Sequence, residues 1–171
     1  AEAREAITAA HTAAVQALQD TRNLVRAIGA APDGHAPQPT LEQLADLVHS
    51  CDPTGKRFEL TSTVDLANAP LPPTTQVALY RIVQEALTNV MRHGGDGAHA
   101  QVIVSEHGNQ FTVEIVDDGT ARHATVSRGH GIANMTQRAR SVGGELAAGP
   151  RAEGGFAVVA QVPIPTKEVA G

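Results

Sequence analysis

Apolar residues recur at helical spacing in three stretches of the chain, with turn residues and alternating stretches between them. The helical patterns cover residues 40–50, residues 74–93 and residues 131–142. Strands are predicted over residues 56–64, 100–107, 110–118, 144–149 and 156–164. Gly108–Asn109 separates two of these strands, which predicts an antiparallel hairpin. Together the elements indicate an α+β fold, in which helices cover one face of a largely antiparallel sheet.

A further helix is predicted at the start of the chain. Residues 2–28 contain neither Pro nor Gly and are rich in Ala, Glu, Gln and Arg, which are good helix formers. Their apolar residues fall at a spacing near 3.5, which is typical of a helix packed along another helix: Ile7, Ala14, Leu18, Val25 and Ile28. The partner is either a second chain or the helix's own domain. Residues 29–39, with three prolines and two glycines, predict a linker.

Composition narrows the class of protein. The chain of 171 residues is 42% hydrophobic and carries a net charge of −5. It has no basic run, which argues against nucleic-acid binding. A single cysteine, Cys51, excludes an intramolecular disulfide and suits a reducing compartment. No run approaches the ~20 apolar residues of a membrane span, and no signal peptide opens the chain. Because the chain begins at Ala1 rather than at Met, we expect a fragment of a larger protein.

The long helical pattern carries an unusual line of polar residues. One face is continuously apolar, with Leu79, Ile82, Val83, Ala86, Leu87 and Val90. A polar stripe runs beside it, with Arg81, Glu85, Asn89 and Arg92, and with His93 at its edge. The simplest interpretation is a solvated helix face. The alternative is a metal–phosphate site, because an amide oxygen and a carboxylate one turn apart suit Mg²⁺, and a cation one turn further on suits phosphate.

Two further motifs are weak when taken alone. Residues 113–121, VEIVDDGTA, end a buried strand in two acids and a glycine, where Asp117 could accept a hydrogen bond in a pocket. Residues 129–135, GHGIANM, place two glycines before a helix, whose N-terminus favours anions. The chain lacks a P-loop, and the second motif lacks the leading strand and third glycine of a Rossmann fingerprint.

In this order the three motifs resemble the ATP-binding catalytic domain of bacterial sensor histidine kinases, within the group that includes gyrase, the heat-shock-90 chaperones and the mismatch-repair ATPases. The match is to the nitrate-sensor-type branch: YRIVQEALTNVMRH to its N box, VDDGT to its first glycine box, GHGIANMTQRA to its second, and GGFAVVAQVPI to its closing segment. The resemblance covers about Pro39 to Pro165. It implies a Bergerat-type ATP-binding fold, a two-layer sandwich with a mixed sheet.

The resemblance also implies roles for individual residues. Asn89 would coordinate Mg²⁺, and Glu85 would position or activate water or the metal. Arg92 and His93 would face the phosphates of ATP. Asp117 would accept the adenine amino group. Other positions would shape the pocket: Gly119 would let the nucleotide approach, Gly129 and Gly131 would hinge a lid over the triphosphate, and His130 could touch phosphate.

The sequence departs from the family pattern in two places. Ala121 stands where the first glycine box usually ends in glycine, and Phe156 follows Gly154–Gly155 where the family often has Thr. Both departures bear on nucleotide affinity rather than on the fold. The other histidines show no metal-ligand spacing and are predicted at the surface: His49, His99, His107 and His123. Cys51 is predicted to be partly buried.

The phosphoacceptor of such a kinase is not found in the chain. In the family this histidine precedes an acidic residue, and none of the eight histidines here does so. His11 is therefore expected to be a packing or surface residue. Residues 17–29, ALQDTRNLVRAIG, resemble the second dimerisation helix of the family. We therefore predict the remnant of a dimerisation domain over residues 1–30, a linker over residues 31–38 and a catalytic domain over residues 39–171.

The resemblance implies a cytoplasmic Mg-ATP-binding kinase domain that phosphorylates a histidine on an absent dimerisation helix. Its partners would be a response regulator and its own dimerisation domain in a homodimeric parent protein, with no nucleic acid and no membrane contact by this fragment. Both a soluble and a membrane-anchored parent are compatible with the resemblance. Two alternatives remain open. One is a serine kinase of the anti-sigma-factor type, and the other is a degenerate nucleotide-binding module that acts by protein interaction.

Overall fold

A computed structural model describes residues 38–95, 97–119 and 130–165. These residues belong to one compact unit, Gln38–Gly171. The helix predicted over residues 2–28 and nearly all of the predicted linker lie outside the described residues. So do residues 120–129, which include Ala121, His123 and Gly129.

The described residues form a short 3-10 helix, three α-helices and five strands. In chain order they are the 3-10 helix Leu41–Gln43, α1 (Leu44–Cys51), β1 (Phe58–Ser62), α2 (Pro73–His93), β2 (Ala100–His107), β3 (Gln110–Asp117), α3 (His130–Ser141), β4 (Glu145–Pro150) and β5 (Phe156–Pro163). Each element predicted from the pattern of this region is present. One boundary matters for the site, because α3 begins at His130 and therefore has Gly131 in its first turn rather than before it.

The five strands form one mixed sheet in the order β1-β2-β3-β5-β4. Strands β1 and β2 pair in parallel, and the other three pairs are antiparallel. The predicted hairpin joins β2 and β3 through Gly108–Asn109, with Gly108 at a positive φ of 61°. The prediction of a mixed, largely antiparallel sheet is confirmed.

The hydrophobic core lies between the sheet and the apolar stripe of α2. All six apolar residues predicted to form this stripe are buried. They meet the buried side chains of alternate residues on the three central strands: Val102 and Val104 on β2, Phe111, Val113 and Ile115 on β3, and Val158, Ala160 and Val162 on β5. Each large side chain buried in this way stabilises the fold by about 1.5–3 kcal/mol. The core thus fixes the position of α2 against the sheet. The polar stripe of α2 lies at the edge of this core.

The ends of the two longer helices are set by backbone geometry. Helix α2 has Pro73 at its first position, where the missing N–H costs no hydrogen bond. Helix α3 ends at Ser141, and Gly143 follows it at a positive φ of 75°. The Gly144 N–H donates to the Ala139 carbonyl at 2.9 Å, which satisfies one of the free carbonyls at the helix end. The Gly143–Gly144 pair therefore ends α3, as the sequence predicts.

Candidate functional site

The polar edge of α2 lies against the first turn of α3. Glu85 and Asn89 are one helical turn apart and so project from the same side of α2. A methyl group at Gly131 would lie 2.8 Å from Glu85 Oε1 and 3.5 Å from Asn89 Nδ2. The α3 backbone therefore runs close to both side chains, and a larger residue at position 131 would require the flexible end of Glu85 to move. The structure therefore brings together the predicted N box and the predicted second glycine box, which lie over 40 positions apart in the sequence.

The chemistry of this contact suits a hard cation beside an anion. Glu85 and Asn89 are partly exposed, so their oxygen atoms can reach a ligand. The first turn of α3 adds the positive end of a helix dipole. No cluster of three His, Cys, Asp or Glu side chains occurs among the described residues. A magnesium ion held here would instead use the amide and carboxylate oxygens together with water and phosphate.

The cations of the polar stripe do not all belong to the site. Arg92 and His93 lie exposed in the last turn of α2, beyond Asn89 on the same helix. Arg81 instead donates from Nη1 to Gln84 Oε1 at 2.7 Å within the helix. The predicted polar stripe therefore has two parts. Arg81 pairs with Gln84 on the helix surface, whereas Arg92 and His93 follow Asn89 toward the C-terminal end of α2.

Asp117 is the last residue of β3 and a half-buried hydrogen-bond acceptor. The Gly119 N–H donates to its Oδ1 at 2.8 Å. Burial raises the pKa of the Asp117 carboxyl above its ordinary value, and the charge of Asp118 adds to this. Hydrogen bonds from the backbone of Gly119 and Phe156 and the charge of Arg151 act in the opposite direction. A carboxylate in such a setting gains from a buried amino-group donor.

Gly119 has a packing reason to be glycine. A methyl group at this position would lie 2.7 Å from Gly94 Cα and 2.8 Å from the Gly94 carbonyl oxygen. Gly94 follows α2 directly and is itself crowded, because a methyl group there would lie 2.8 Å from Ala98 Cβ. This contact joins the turn after β3 to the end of α2. The approach of a ligand, which the resemblance implies for Gly119, is a separate role that this contact does not test.

The turn between β4 and β5 closes against the same aspartate. Gly155 has a φ of 78°, and a methyl group there would overlap the Asp117 carbonyl oxygen. The next residue, Phe156, stands where the family often has Thr. Its side chain packs partly buried against the core, while its backbone lowers the pKa of the Asp117 carboxyl and so favours the ionised form. This effect comes from the main chain at Phe156 and does not depend on the side chain there.

The structure adds a contact that the sequence did not predict. His99, which precedes β2, donates from its backbone N–H to Asp118 Oδ1 at 2.7 Å, and its ring Nδ1 lies 3.0 Å from Asp118 Oδ2. His99 is exposed, as predicted for a surface histidine, but it is bonded to the residue after Asp117. In the sequence, the two adjacent acids at the end of a predicted strand indicated only that an acid there could accept a hydrogen bond. The partner of Asp118 is His99, which lies 19 residues earlier, and no local sequence pattern links the two.

Two predicted site residues cannot be placed in this geometry. Gly129 lies outside the described residues. The backbone of His130 begins α3, and its side chain is not described. The role of Gly129 as a hinge of the lid and the contact of His130 with phosphate therefore stay predictions.

Comparison with known proteins identifies the family of the chain. Residues 74–166 match the family model described as histidine kinase-, DNA gyrase B- and HSP90-like ATPase. The chain is 29% identical over 151 residues to the sensor histidine kinase YxjM and 32% identical over 169 residues to the sensor histidine kinase LnrJ, both of Bacillus subtilis (strain 168). These alignments cover 88% and 98% of the chain but 36% and 40% of the two relatives.

A solved structure supports the fold. The histidine kinase domain from the Erythrobacter litoralis EL346 blue-light activated histidine kinase matches with a TM-score of 0.56 and 23% identity, over 77% of this chain and 66% of that one. The assignment to the nitrate-sensor-type branch stays a prediction. With the family match over more than half of its length, the chain belongs to the histidine kinase-, DNA gyrase B- and HSP90-like ATPase family, and it resembles the ATP-binding domains of sensor histidine kinases in particular.

Proposed function

We propose that this chain carries the Mg-ATP-binding catalytic domain of a two-component sensor histidine kinase. In this proposal the domain donates the γ-phosphate of ATP to a histidine on a dimerisation helix of the same parent protein. The contact of Gly131 with Glu85 and Asn89 is the main support. It gathers oxygen ligands and a helix N-terminus at one place, beside a strand end that carries a half-buried aspartate.

The adenine end of the proposed site is Asp117. The Gly119 N–H donates to Oδ1 of its carboxyl, which orients the carboxylate as an acceptor for a ligand amino group. Adenine carries such a group at C6, whereas guanine carries a carbonyl oxygen there that a carboxylate would repel. Binding of the amino group would also compensate the cost of burying the charge of Asp117.

The phosphate end of the proposed site is formed by α2 and α3. Asn89 would ligate Mg²⁺ and Glu85 would hold a water or the metal, while Arg92 and His93 would face phosphate. Gly129, His130 and Gly131 would border the lid, and the N-terminus of α3 would attract negative charge. When bound, Mg²⁺ would neutralise charge on the phosphates. The contribution of the chain is then mainly positioning and electrostatic stabilisation.

The partners follow from the proposed reaction. The acceptor histidine would lie on the dimerisation domain, of which residues 1–30 would be a remnant. A response regulator would receive the phosphate next. We propose that the domain lies in the cytoplasm, because the family reaction uses ATP and a soluble response regulator. Within the described residues, none of the helices is both long and apolar enough to cross a bilayer.

Calorimetric titration with Mg-ATP tests the nucleotide site. We expect the 171-residue chain to bind in the micromolar to sub-millimolar range, Asp117→Asn to lose most of the affinity and Asn89→Ala to weaken it about tenfold in the presence of Mg²⁺. Asp46→Ala, an exposed position on α1, is the control and should bind as the unaltered chain does. No binding by the unaltered chain at millimolar Mg-ATP would refute the proposal.

Autophosphorylation of the parent kinase tests the acceptor. Asn89→Ala should slow it about 100-fold, the size found when a single charge-stabilising group is removed from an active site. The phosphate formed should be lost in acid and kept in base, as expected of phosphohistidine. An acid-stable product would indicate a serine acceptor and contradict this part of the proposal.

A further inference from the structure

Asp118 is held by His99 through three contacts. The Asp118 N–H donates to the His99 carbonyl at 3.2 Å. In return, the His99 N–H donates to Asp118 Oδ1 at 2.7 Å, and the His99 ring Nδ1 lies 3.0 Å from Asp118 Oδ2. The last residue pair of the β2–β3 ladder is Ala100 with Asp117. These contacts therefore continue the pairing by one residue beyond the end of β3, partly through a side chain.

This pairing fixes the peptide that holds the proposed adenine acceptor. The Gly119 N–H belongs to the peptide between Asp118 and Gly119, and it donates to Asp117 Oδ1 at 2.8 Å. Its direction depends on the backbone conformation of Asp118. The backbone N–H and both carboxylate oxygens of Asp118 are bonded to His99. Rotation about its N–Cα bond, which also turns the Asp118–Gly119 peptide, would therefore break the side-chain contacts. The Asp118–His99 contacts thus constrain the orientation of the Asp117 carboxylate.

We propose that His99 and Asp118 are positioning residues that orient Asp117 and so set the preference of the site for adenine over guanine. This inference rests on the proposed function, because it takes Asp117 to be the adenine acceptor. Neither residue needs to touch the nucleotide. Their effect passes through the Gly119 N–H to the carboxylate that does.

The exposure of the pair decides what kind of effect to expect. The side chains of His99 and Asp118 are 60% and 59% exposed, and exposed ion pairs add little to global stability. The contact is expected to affect base recognition instead. A freely rotating Asp117 carboxylate would accept a hydrogen bond from the adenine amino group less well, and it would repel the guanine carbonyl oxygen more weakly. Discrimination between the two bases should therefore fall more than thermal stability does.

The test is a pair of titrations, with Mg-ATP and with Mg-GTP, for a set of variants of the 171-residue chain. Asp118→Ala and His99→Ala should each lower the ratio of ATP affinity to GTP affinity, by about fivefold for Asp118→Ala, which corresponds to ~1 kcal/mol. The double variant should lose no more than Asp118→Ala alone, because both changes remove the same contact. His107→Ala, an exposed histidine at the far end of β2, is the matched control and should keep the ratio unchanged.

Asp118→Asn separates position from charge. Asparagine keeps an oxygen that can accept from the His99 N–H, so this variant should retain most of the discrimination while lacking the negative charge. An equal loss in Asp118→Asn and Asp118→Ala would overturn the inference, as would an unchanged ratio in both alanine variants. Absence of ATP binding by the unaltered chain would instead refute the proposed function.

Discussion

At the scale of single residues, the burial of the Asp117 carboxyl lowers the stability of the folded protein. Burial raises the pKa of its carboxyl, so the ionised form is less stable in the folded protein than in the unfolded chain. The backbone N–H of Gly119 offsets only part of this cost. A half-buried carboxylate whose charge is only partly compensated is what we expect of the proposed adenine acceptor.

The change Asp117→Asn should therefore raise the melting temperature of the unliganded chain at neutral pH while it weakens ATP binding. For a carboxyl whose folded pKa is raised, stability falls as the pH rises from the ordinary value of 3.8 through the folded pKa. The advantage of the variant should thus be fully present at neutral pH and vanish at more acidic pH. Thermal unfolding followed across this range measures it.

Asp118→Asn provides the opposite comparison. The backbone N–H of His99 is the main cause that lowers the pKa of Asp118, so its ionised form stabilises the folded protein at neutral pH, and this contribution is lost as the pH falls. Asp118→Asn should therefore lower the melting temperature at neutral pH, whereas Asp117→Asn should raise it. A lower melting temperature for Asp117→Asn at neutral pH would show that burial is not the dominant influence on the Asp117 carboxyl.

Residue chemistry was accessible from the sequence only where it followed a local pattern. Glu85 and Asn89 fell on one helix face, and Asp117 stood at a predicted strand end. The bond between His99 and Asp118 could not be predicted in the same way, because it depends on the register of two strands. The packing of Gly119 on Gly94 likewise needs the path of the chain in three dimensions.

At the scale of elements, the site is a set of close backbone approaches between them. Gly131 brings α3 to α2, Gly119 brings the turn after β3 to the end of α2, and Gly155 brings the β4–β5 turn to the end of β3. Each element was predictable from its own hydrophobic pattern, because the pattern is local. The strand order was not, since placing β5 between β3 and β4 depends on distant pairings.

The change Gly155→Ala tests the contact between the β4–β5 turn and β3. Its methyl group would overlap the Asp117 carbonyl at a positive φ, so we expect a loss of about 3 kcal/mol in the free energy of unfolding and a loss of ATP binding. Gly154→Ala is the matched control. It also has a positive φ, of 98°, but its methyl group would meet no atom within 4 Å. It should cost only the backbone strain, ~1–2 kcal/mol.

Unfolding in urea gives both free energies. Equal losses for the two variants would mean that the turn can move away from Asp117, and that the close contact does not fix its position.

At the scale of the whole molecule, the site depends on one core. Helix α2 contacts the 3-10 helix, α1, β2, β3, β5 and α3, so the helix that carries Glu85 and Asn89 is also the centre of the packing. A shift of the core would therefore move the site. The compact unit that begins at Gln38 contains all of these elements, and we expect it to fold without residues 1–37.

A protein of residues 38–171 tests this domain boundary. It should unfold in one cooperative transition and bind Mg-ATP within about twofold of the 171-residue chain, as expected of a domain with its own core. The change in molar ellipticity with temperature and a calorimetric titration measure the two properties. A molten or aggregated product would place the domain boundary before residue 38.

The parallel pairing of β1 with β2 also has a consequence for the order of folding. Its register joins Phe58 to Ala100 across the whole of α2, whereas β2 and β3 meet across a two-residue turn. Contacts between distant residues carry the larger loop-closure entropy and form later. We therefore expect the amide protons of the β2–β3 hairpin to become protected from pulsed hydrogen exchange before those of β1. Simultaneous protection would contradict this order. If it holds, the strand that ends at Asp117 is paired while β1 is still undocked, and a folding intermediate would carry the proposed adenine acceptor before the parallel edge of the sheet has formed.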